Sequence, residues 1–512
     1  MLMRTFVVPR ALRFHLLLCL LIGAAQPVYG DLPVLTTDAP VYVVGDVHGA
    51  YQSLFELLHS NGLIDEAGNW QAEDSILVSV GDLLDRGPGS RAVMDLFMNL
   101  SVQAPQEGGQ VIVLMGNHEM MNLLSEYRDV SEAEIAAFSD LTGYARAMSR
   151  QGAYGQWLEQ LPLVVRVNDW LLMHGGLTAR MAMQLNQVNT RAQQALEQLR
   201  RYGEAQVSDG LLASGTSYID HALASDTASP SIQQAASEPA LGGQGPAWYR
   251  GNSGCHPLIE RENIAEVLSI TGARGIVVGH TPTPAREVTS RFGGRVLAVD
   301  TGMLASTYRG APRLLRLQGD KRHVFGLGGL QAPIVEDTLQ TVGQPTPLKT
   351  GKSKRSWAAF LLDQHLGLQM TVPPSLATEA GDFPQNILSE AGRQERGWAR
   401  PNYCGDASDF DLVRIFDALI GKLDRSANDL GYDPRSWSIK LTNHAATFGN
   451  HARVPTYAAP ARAPFVPPQL REELASLTQS AVQEVVGGLL SKRQVRSLLK
   501  RRDKILQWEA ER

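Results

Sequence analysis

Cysteine is scarce, with three residues in a chain of 512. That excludes a disulfide framework and a Cys-based zinc module. Excess positive charge is missing as well. Lys and Arg total 47 against 52 Asp and Glu, a formal net charge of −5. Phosphate backbones select basic surfaces, so nucleic-acid binding through bulk electrostatics is not expected. Beyond the N-terminus, no apolar run approaches the ~20 residues that span a bilayer. Hydrophobic residues at 44% and charged residues at 19% exclude a disordered or collagen-like chain. At about 150 residues per domain, the length suggests roughly three domains.

The N-terminus reads as an address. Arg4, Arg10 and Arg13 precede a short apolar run, Leu16 to Ala25, and Val28-Tyr29-Gly30 sets modest residues where a signal peptidase reads. A signal peptide over residues 1–30 is expected, with an exported mature chain, periplasmic or secreted, beginning near Asp31. The membrane is then involved only through that signal. No small residue precedes Cys19, so a lipoprotein signal is not expected. In an oxidising compartment Cys255 and Cys404 are available to pair.

From Val41 to about Leu317, short β-branched runs alternate with helical patterns, the rhythm of an α/β domain. The runs are VYVV (41–44), SILVSV (75–80), VIVLM (111–115), WLLM (170–173), GIVV (275–278) and RVLAV (295–299). Five end in GDVHG, GDLLDRG, GNHE, HGG and GHTP, and the sixth in Asp300-Thr301-Gly302. Ligands in open α/β sheets gather beyond the carboxyl ends of strands. Residues 179–245 interrupt the rhythm with a helical and then Ser/Ala/Gly-rich stretch, read as an insertion over the sheet edge within a domain spanning 31–330, either a lid or cap or a solvated helical excursion. Residues 331–356 read as a linker, and 357–512 as a mainly helical C-terminal region of unassigned role. There, five prolines within 455–468 exclude regular structure. Leu470, Leu474, Leu477, Ala481 and Val485 recur at helical spacing. Ser491 with Gln494 resembles a capping box opening a basic last helix, read as a solvated face. Asp406, Asp409 and Asp411 lack the Gly and Glu of an EF-hand and read as a solvated loop.

Asp46 and His48, Asp82, Asn117, His174 and His280 stand at the five motifs. Carboxylate, amide and imidazole in this mixture suit a dication such as Mn, Fe or Zn. Without thiolate, a structural zinc knot is not the reading. The six side chains exceed what one tetrahedral ion takes and match two ions, divalent or mixed-valence, sharing a bridge.

The five motifs in this order, each at a strand end, resemble a calcineurin-like metallophosphoesterase of the phosphoprotein-phosphatase branch, and within it the bacterial Shewanella-like phosphatases. The resemblance spans about residues 40–310. It implies an α/β sandwich of two mixed sheets flanked by helices, with a dinuclear centre on the strand ends. It also implies that Asp46 and His48 hold the first metal, that Asp82 bridges, and that Asn117, His174 and His280 hold the second. Where many diesterases carry a second His, in GHxH, this chain has Pro282, which favours phosphomonoesters. Some Shewanella-like members favour phosphotyrosine. The implied reaction is direct in-line attack on phosphorus by a hydroxide activated by two metals. Arg86 would clamp the phosphoryl group bidentately. His118 would protonate the leaving oxygen, oriented by Asp85. Arg250, in GPAWYRG, is a second candidate phosphate contact, with a structural salt bridge as its other reading. Asp300 organises its strand end, and His256 has no assigned role.

The expected activity is therefore a metal-dependent protein phosphatase acting on a phosphorylated protein. The rival substrates are small phosphoesters, a nucleotide or a dinucleoside polyphosphate. A non-enzymatic binding protein on a phosphatase scaffold ranks below both, because the ligands and the Arg/His pair are complete. Oligomeric state is left open by the sequence.

Overall fold

Runs of four or five Val, Ile and Leu are stable where both faces are covered, as in parallel sheets. The computed structural model describes residues 32–337, 351–376, 388–389, 409–433, 438–455 and 464–508. All six predicted runs are strands: Val41–Val44, Ile76–Ser79, Gln110–Val113, Trp170–Met173, Gly275–Val278 and Val296–Ala298. They divide between two mixed sheets. The first three lie parallel in a sheet of six, ordered Gln331–Ala332, Lys321–Phe325, Leu314–Gln318, Val41–Val44, Ile76–Ser79, Gln110–Val113. The other three lie parallel in a sheet of seven, ordered Val34–Leu35, Val164–Val167, Trp170–Met173, Gly275–Val278, Val296–Ala298, Thr289–Arg291, Val335–Glu336.

The two-residue period of a strand builds the layers. Val41, Val43, Ile76, Val78 and Ile112 of one sheet meet Val165, Val167, Leu172, Val277 and Leu297 of the other in an inner core. Their sequence neighbours Val44, Leu77, Val111, Leu171, Ile276 and Val278 face outward into a second core. The flanking helices Tyr51–Ser60, Ser90–Gln103 and Pro257–Thr271 fill that outer layer with Leu54, Leu57, Val93, Phe97, Ile264 and Val267. This is the expected α/β sandwich of two mixed sheets flanked by helices.

Within 179–245 the helices Val188–Ser208, Tyr218–Ala224 and Pro230–Ala236 carry no strand. Ala192, Leu196, Leu199, Tyr218 and Ala222 are buried in the main core, so the insertion is packed onto the domain along its length. Residues 331–336, placed in the connection by their sequence pattern, form edge strands instead, and a helix already runs over Gly351–His365. The C-terminal region has its own core. Ala358, Leu362, Leu412, Phe416, Leu470, Leu474, Val482 and Leu498 pack there with Leu258 and Ile259 of the helix Pro257–Thr271. A small sheet, Leu388–Ser389, Leu430–Tyr432 and Ile439–Leu441, accompanies its helices.

One helical register differs from expectation. The apolar spacing from Leu470 reads through to Val485, yet the helix Pro468–Ser476 stops and Thr478 caps a new one, Gln479–Val486. The break moves burial from Ala481 and Val485 to Val482 and Val486. Pro468, counted among the helix-excluding prolines, instead opens a helix, where its missing N–H has no partner to lose. The Ser491–Gln494 capping box is present at the helix Lys492–Ile505. In that helix Arg501 is buried, with Nε donating to Leu419 O (2.9 Å) and NH1 to His451 O (2.5 Å). No described helix is long and apolar enough to cross a membrane. The expected signal segment, Cys404 and Asp406 lie outside the described residues.

Candidate active site

Each candidate ligand leaves the carboxyl end of a strand, and the two sheets bring those ends to one edge. Asp46 and His48 follow Val41–Val44, Asp82 follows Ile76–Ser79, and Asn117 opens the helix Asn117–Leu123 after Gln110–Val113. His174 and His280 follow Trp170–Met173 and Gly275–Val278 in the other sheet. His48, Asp82, Asp85, Arg86 and His280 all have positive φ, between 49° and 69°. Such conformations cost about 1–3 kcal/mol each and cluster at functional sites. Two glycines make room for a carboxylate: a Cβ on Gly116 would collide with Asp82 Oδ1, and one on Gly279 with Asp46 Oδ1.

All six side chains are buried. His174 Nδ1 donates to Val80 O (3.0 Å), so in the neutral ring Nε2 presents a lone pair. Around Nε2 stand Asn117 Oδ1 and His280 Nδ1, each at 3.1 Å, and Asp82 Oδ2 at 3.2 Å. His48 Nδ1 likewise donates to Leu84 O (2.9 Å), and its Nε2 lies 3.6 Å from Asp82 Oδ2. Burial pushes the His48 and His280 imidazoles well below their ordinary range, which keeps both rings neutral. Burial works against ionisation of Asp82, but His174, His118 and His48 outweigh it and hold its carboxyl well down. Burial together with Asp300 and Asp82 pushes Asp46 well up.

Lone pairs and carboxylates converge here with too few protons to pair them, and His280 Nε2 is buried without a partner among the described residues. That donor set fits divalent cations. Two groups have the spacing of an ion site, Asp82–His174–His280 and His48–Asp82–His118, and Asp82 belongs to both. The second group contains His118 where the resemblance puts Asp46. The Asp46 carboxylate accepts the His280 N–H at 3.0 Å, with Oδ2 4.0 Å from His48 Nε2.

His118 Nδ1 is 2.6 Å from Asp85 Oδ2, which fixes a hydrogen on Nδ1 and turns Nε2 toward Asp82 Oδ2 at 3.9 Å. Asp85 Oδ1 accepts from Asn122 Nδ2 (2.9 Å), and Asn122 Oδ1 accepts from Tyr144 OH (2.6 Å). Burial alone would lower the His118 imidazole, but Asp82 and Asp85 hold it above its ordinary value. Arg86 NH1 donates to His48 Nε2 (3.0 Å), and Tyr308 lies over both, 5.4 Å from the guanidinium carbon and stacked on the His48 ring. Arg250 NH1 donates to His280 O (2.6 Å) and Thr281 Oγ1 (3.1 Å). Asp300 accepts from its own turn at Gly302 N (2.9 Å), as expected of a residue that organises a strand end.

Sequence reasoning passed over Glu119, Asn122, Tyr144 and Tyr308. Glu119 lay in plain view in GNHE. Its carboxylate accepts the N–H groups of Asp82 (2.8 Å), Leu83 (2.7 Å) and Gly116 (2.8 Å). Burial and the nearby Asp82 push it up to about 7. Glu119→Ala strands three buried donors and should cost about 3 kcal/mol or more. The check is the thermal midpoint of chelator-treated protein, where metal binding does not contribute.

Residues 39–284 match the family model described as calcineurin-like phosphoesterase. Shewanella-like protein phosphatase 1 of Plasmodium berghei is 28% identical over 291 residues, covering 56% of this chain and 72% of that protein. Shewanella-like protein phosphatase 2 of Arabidopsis thaliana is 33% identical over 95 residues, 19% and 24% of the two chains. Among solved structures, the cold-active protein-tyrosine phosphatase of a psychrophilic Shewanella is 27% identical with a TM-score of 0.47, covering 60% of this chain and 84% of that one.

Proposed function

With a calcineurin-like metallophosphoesterase domain over residues 39–284 of this chain, we propose that the protein is a divalent-metal-dependent protein phosphatase. The observation that carries this is the pair of donor groups sharing Asp82 beside the His118–Asp85 couple. Asp46, His48, Asp82, Asn117, His174 and His280 would hold two Mn, Fe or Zn ions. Bound divalent cations acidify water and withdraw charge from phosphoryl oxygens.

The protein's own groups do the rest. Arg86 and Arg250 flank the ligand cluster and match the oxygens of a phosphoryl group, whose transition state spreads negative charge. His118 delivers the proton from Nε2 to the departing oxygen. Asp85 accepts the Nδ1–H throughout, which orients the ring and favours its protonated form. Asn122 and Tyr144 fix Asp85 in turn.

The substrate reading extends to phosphotyrosine, supported by the resemblance to Shewanella-like phosphatases. The location reading is periplasmic or secreted, supported by the N-terminal pattern of arginines and short apolar run. The test is purified full-length protein assayed for metal and for turnover of a phosphotyrosine peptide, a phosphoserine peptide and nucleotides. Phosphotyrosine turnover should exceed the others. Turnover of nucleotides alone would replace this reading with the small-phosphoester one.

A further inference from the structure

Among the described residues the C-terminal region meets the catalytic domain at His256, Leu258 and Ile259, and Arg250 opens the segment that leads into them. The segment runs from Arg250 through a single helical turn, Gly251–Gly254, to Cys255 and His256. From inside, the buried Arg291 holds it, with NH1 donating to Asn252 O (2.6 Å) and NH2 to Cys255 O (2.7 Å). Cys255 is disulfide-bonded, and its expected partner Cys404 lies outside the described residues.

From outside, two bonds tie His256 to the C-terminal region. Its backbone N–H donates to Asp409 Oδ1 (3.1 Å), and its Nε2 lies 2.9 Å from Leu368 O. A carbonyl only accepts, so Nε2 carries the hydrogen and Nδ1 keeps a lone pair. That lone pair accepts the Leu258 N–H (3.2 Å) and caps the helix Pro257–Thr271. One ring therefore serves both bodies in a single tautomer, and burial keeps it neutral. Leu258 and Ile259 then enter the C-terminal core.

We infer that the C-terminal region is a buttress of the active site, and that His256 is a positioning residue through which it holds Arg250 against His280 and Thr281. This rests on the reading of Arg250 as a phosphate contact.

The test uses metal-loaded full-length protein with inorganic phosphate as competitive inhibitor. Asp409→Ala removes the acceptor of the His256 N–H, whereas Asp409→Asn keeps Oδ1. Asp409→Ala and His256→Ala should each raise the phosphate inhibition constant about fivefold, with metal content unchanged. Asp409→Asn should stay near wild type. In an Arg250→Ala background neither change should add anything. Should His256→Ala fail to fold, the Asp409 pair decides. An equal loss in both backgrounds overturns the inference, as does an unchanged constant where Arg250→Ala itself raises it. An unchanged constant in Arg250→Ala alone would instead remove the phosphate role of Arg250, and the inference with it.

Discussion

Asp82→Asn is expected to lose bound metal and phosphatase activity together, by roughly 10³-fold or more in turnover. The reasoning is local. Asp82 Oδ1 accepts the His118 backbone N–H at 3.0 Å, and an asparagine oxygen can keep that bond. Oδ2 faces His174 Nε2 at 3.2 Å and His48 Nε2 at 3.6 Å. In the variant an amide N–H₂ points at the His174 lone pair and satisfies it without a cation. The metal-free variant should therefore be at least as heat-stable as metal-free wild type. Wild type alone should gain stability when metal is restored, since a ligand that binds only the folded state raises its midpoint. Metal analysis and paired melting curves check this. A variant that kept its metal would remove Asp82 from the centre of the site.

His118→Asn is expected to keep its metal and lose turnover by about 10²–10⁴ on an ester with a poor leaving group. On an aryl ester with an acidic phenol the loss should be much smaller, because that oxygen departs without a proton. Asp85→Asn should move the same way, since it removes the negative charge that favours the protonated ring 2.6 Å away. The experiment also separates two roles the geometry allows, because His118 shares a metal-sized group with His48 and Asp82. Loss of one metal equivalent, with equal loss on both esters, would make His118 a ligand and end its assignment as proton donor.

Much of this architecture was legible in sequence because parallel strands announce themselves. VYVV, WLLM and GIVV became strands at their predicted limits, each covered on both faces. Thr289–Arg291 did not announce itself: it is polar throughout yet buried, because Arg291 spends its charge on Asp337 and on carbonyls. Lys321–Phe325 was hidden for the opposite reason, as a charged, half-buried strand near a sheet edge. At the site, glycine-flanked ligands were readable one by one. Their left-handed backbone at His48, Asp82, Asp85, Arg86 and His280 was not, since residues other than glycine adopt it only rarely. Glu119 and His256 escaped because their work is on backbone groups, which carry no residue code. The helix break at Leu477 escaped because apolar spacing continues across it.

Four of the six proposed ligands follow strands of one sheet and two follow strands of the other. A cation held between them would thus be a rivet through both plates of the sandwich. Neither plate could then slide or peel away without tearing coordination bonds. Metal occupancy would therefore be a gauge of whether the whole sandwich has closed, and a half-assembled chain should be unable to report a full complement.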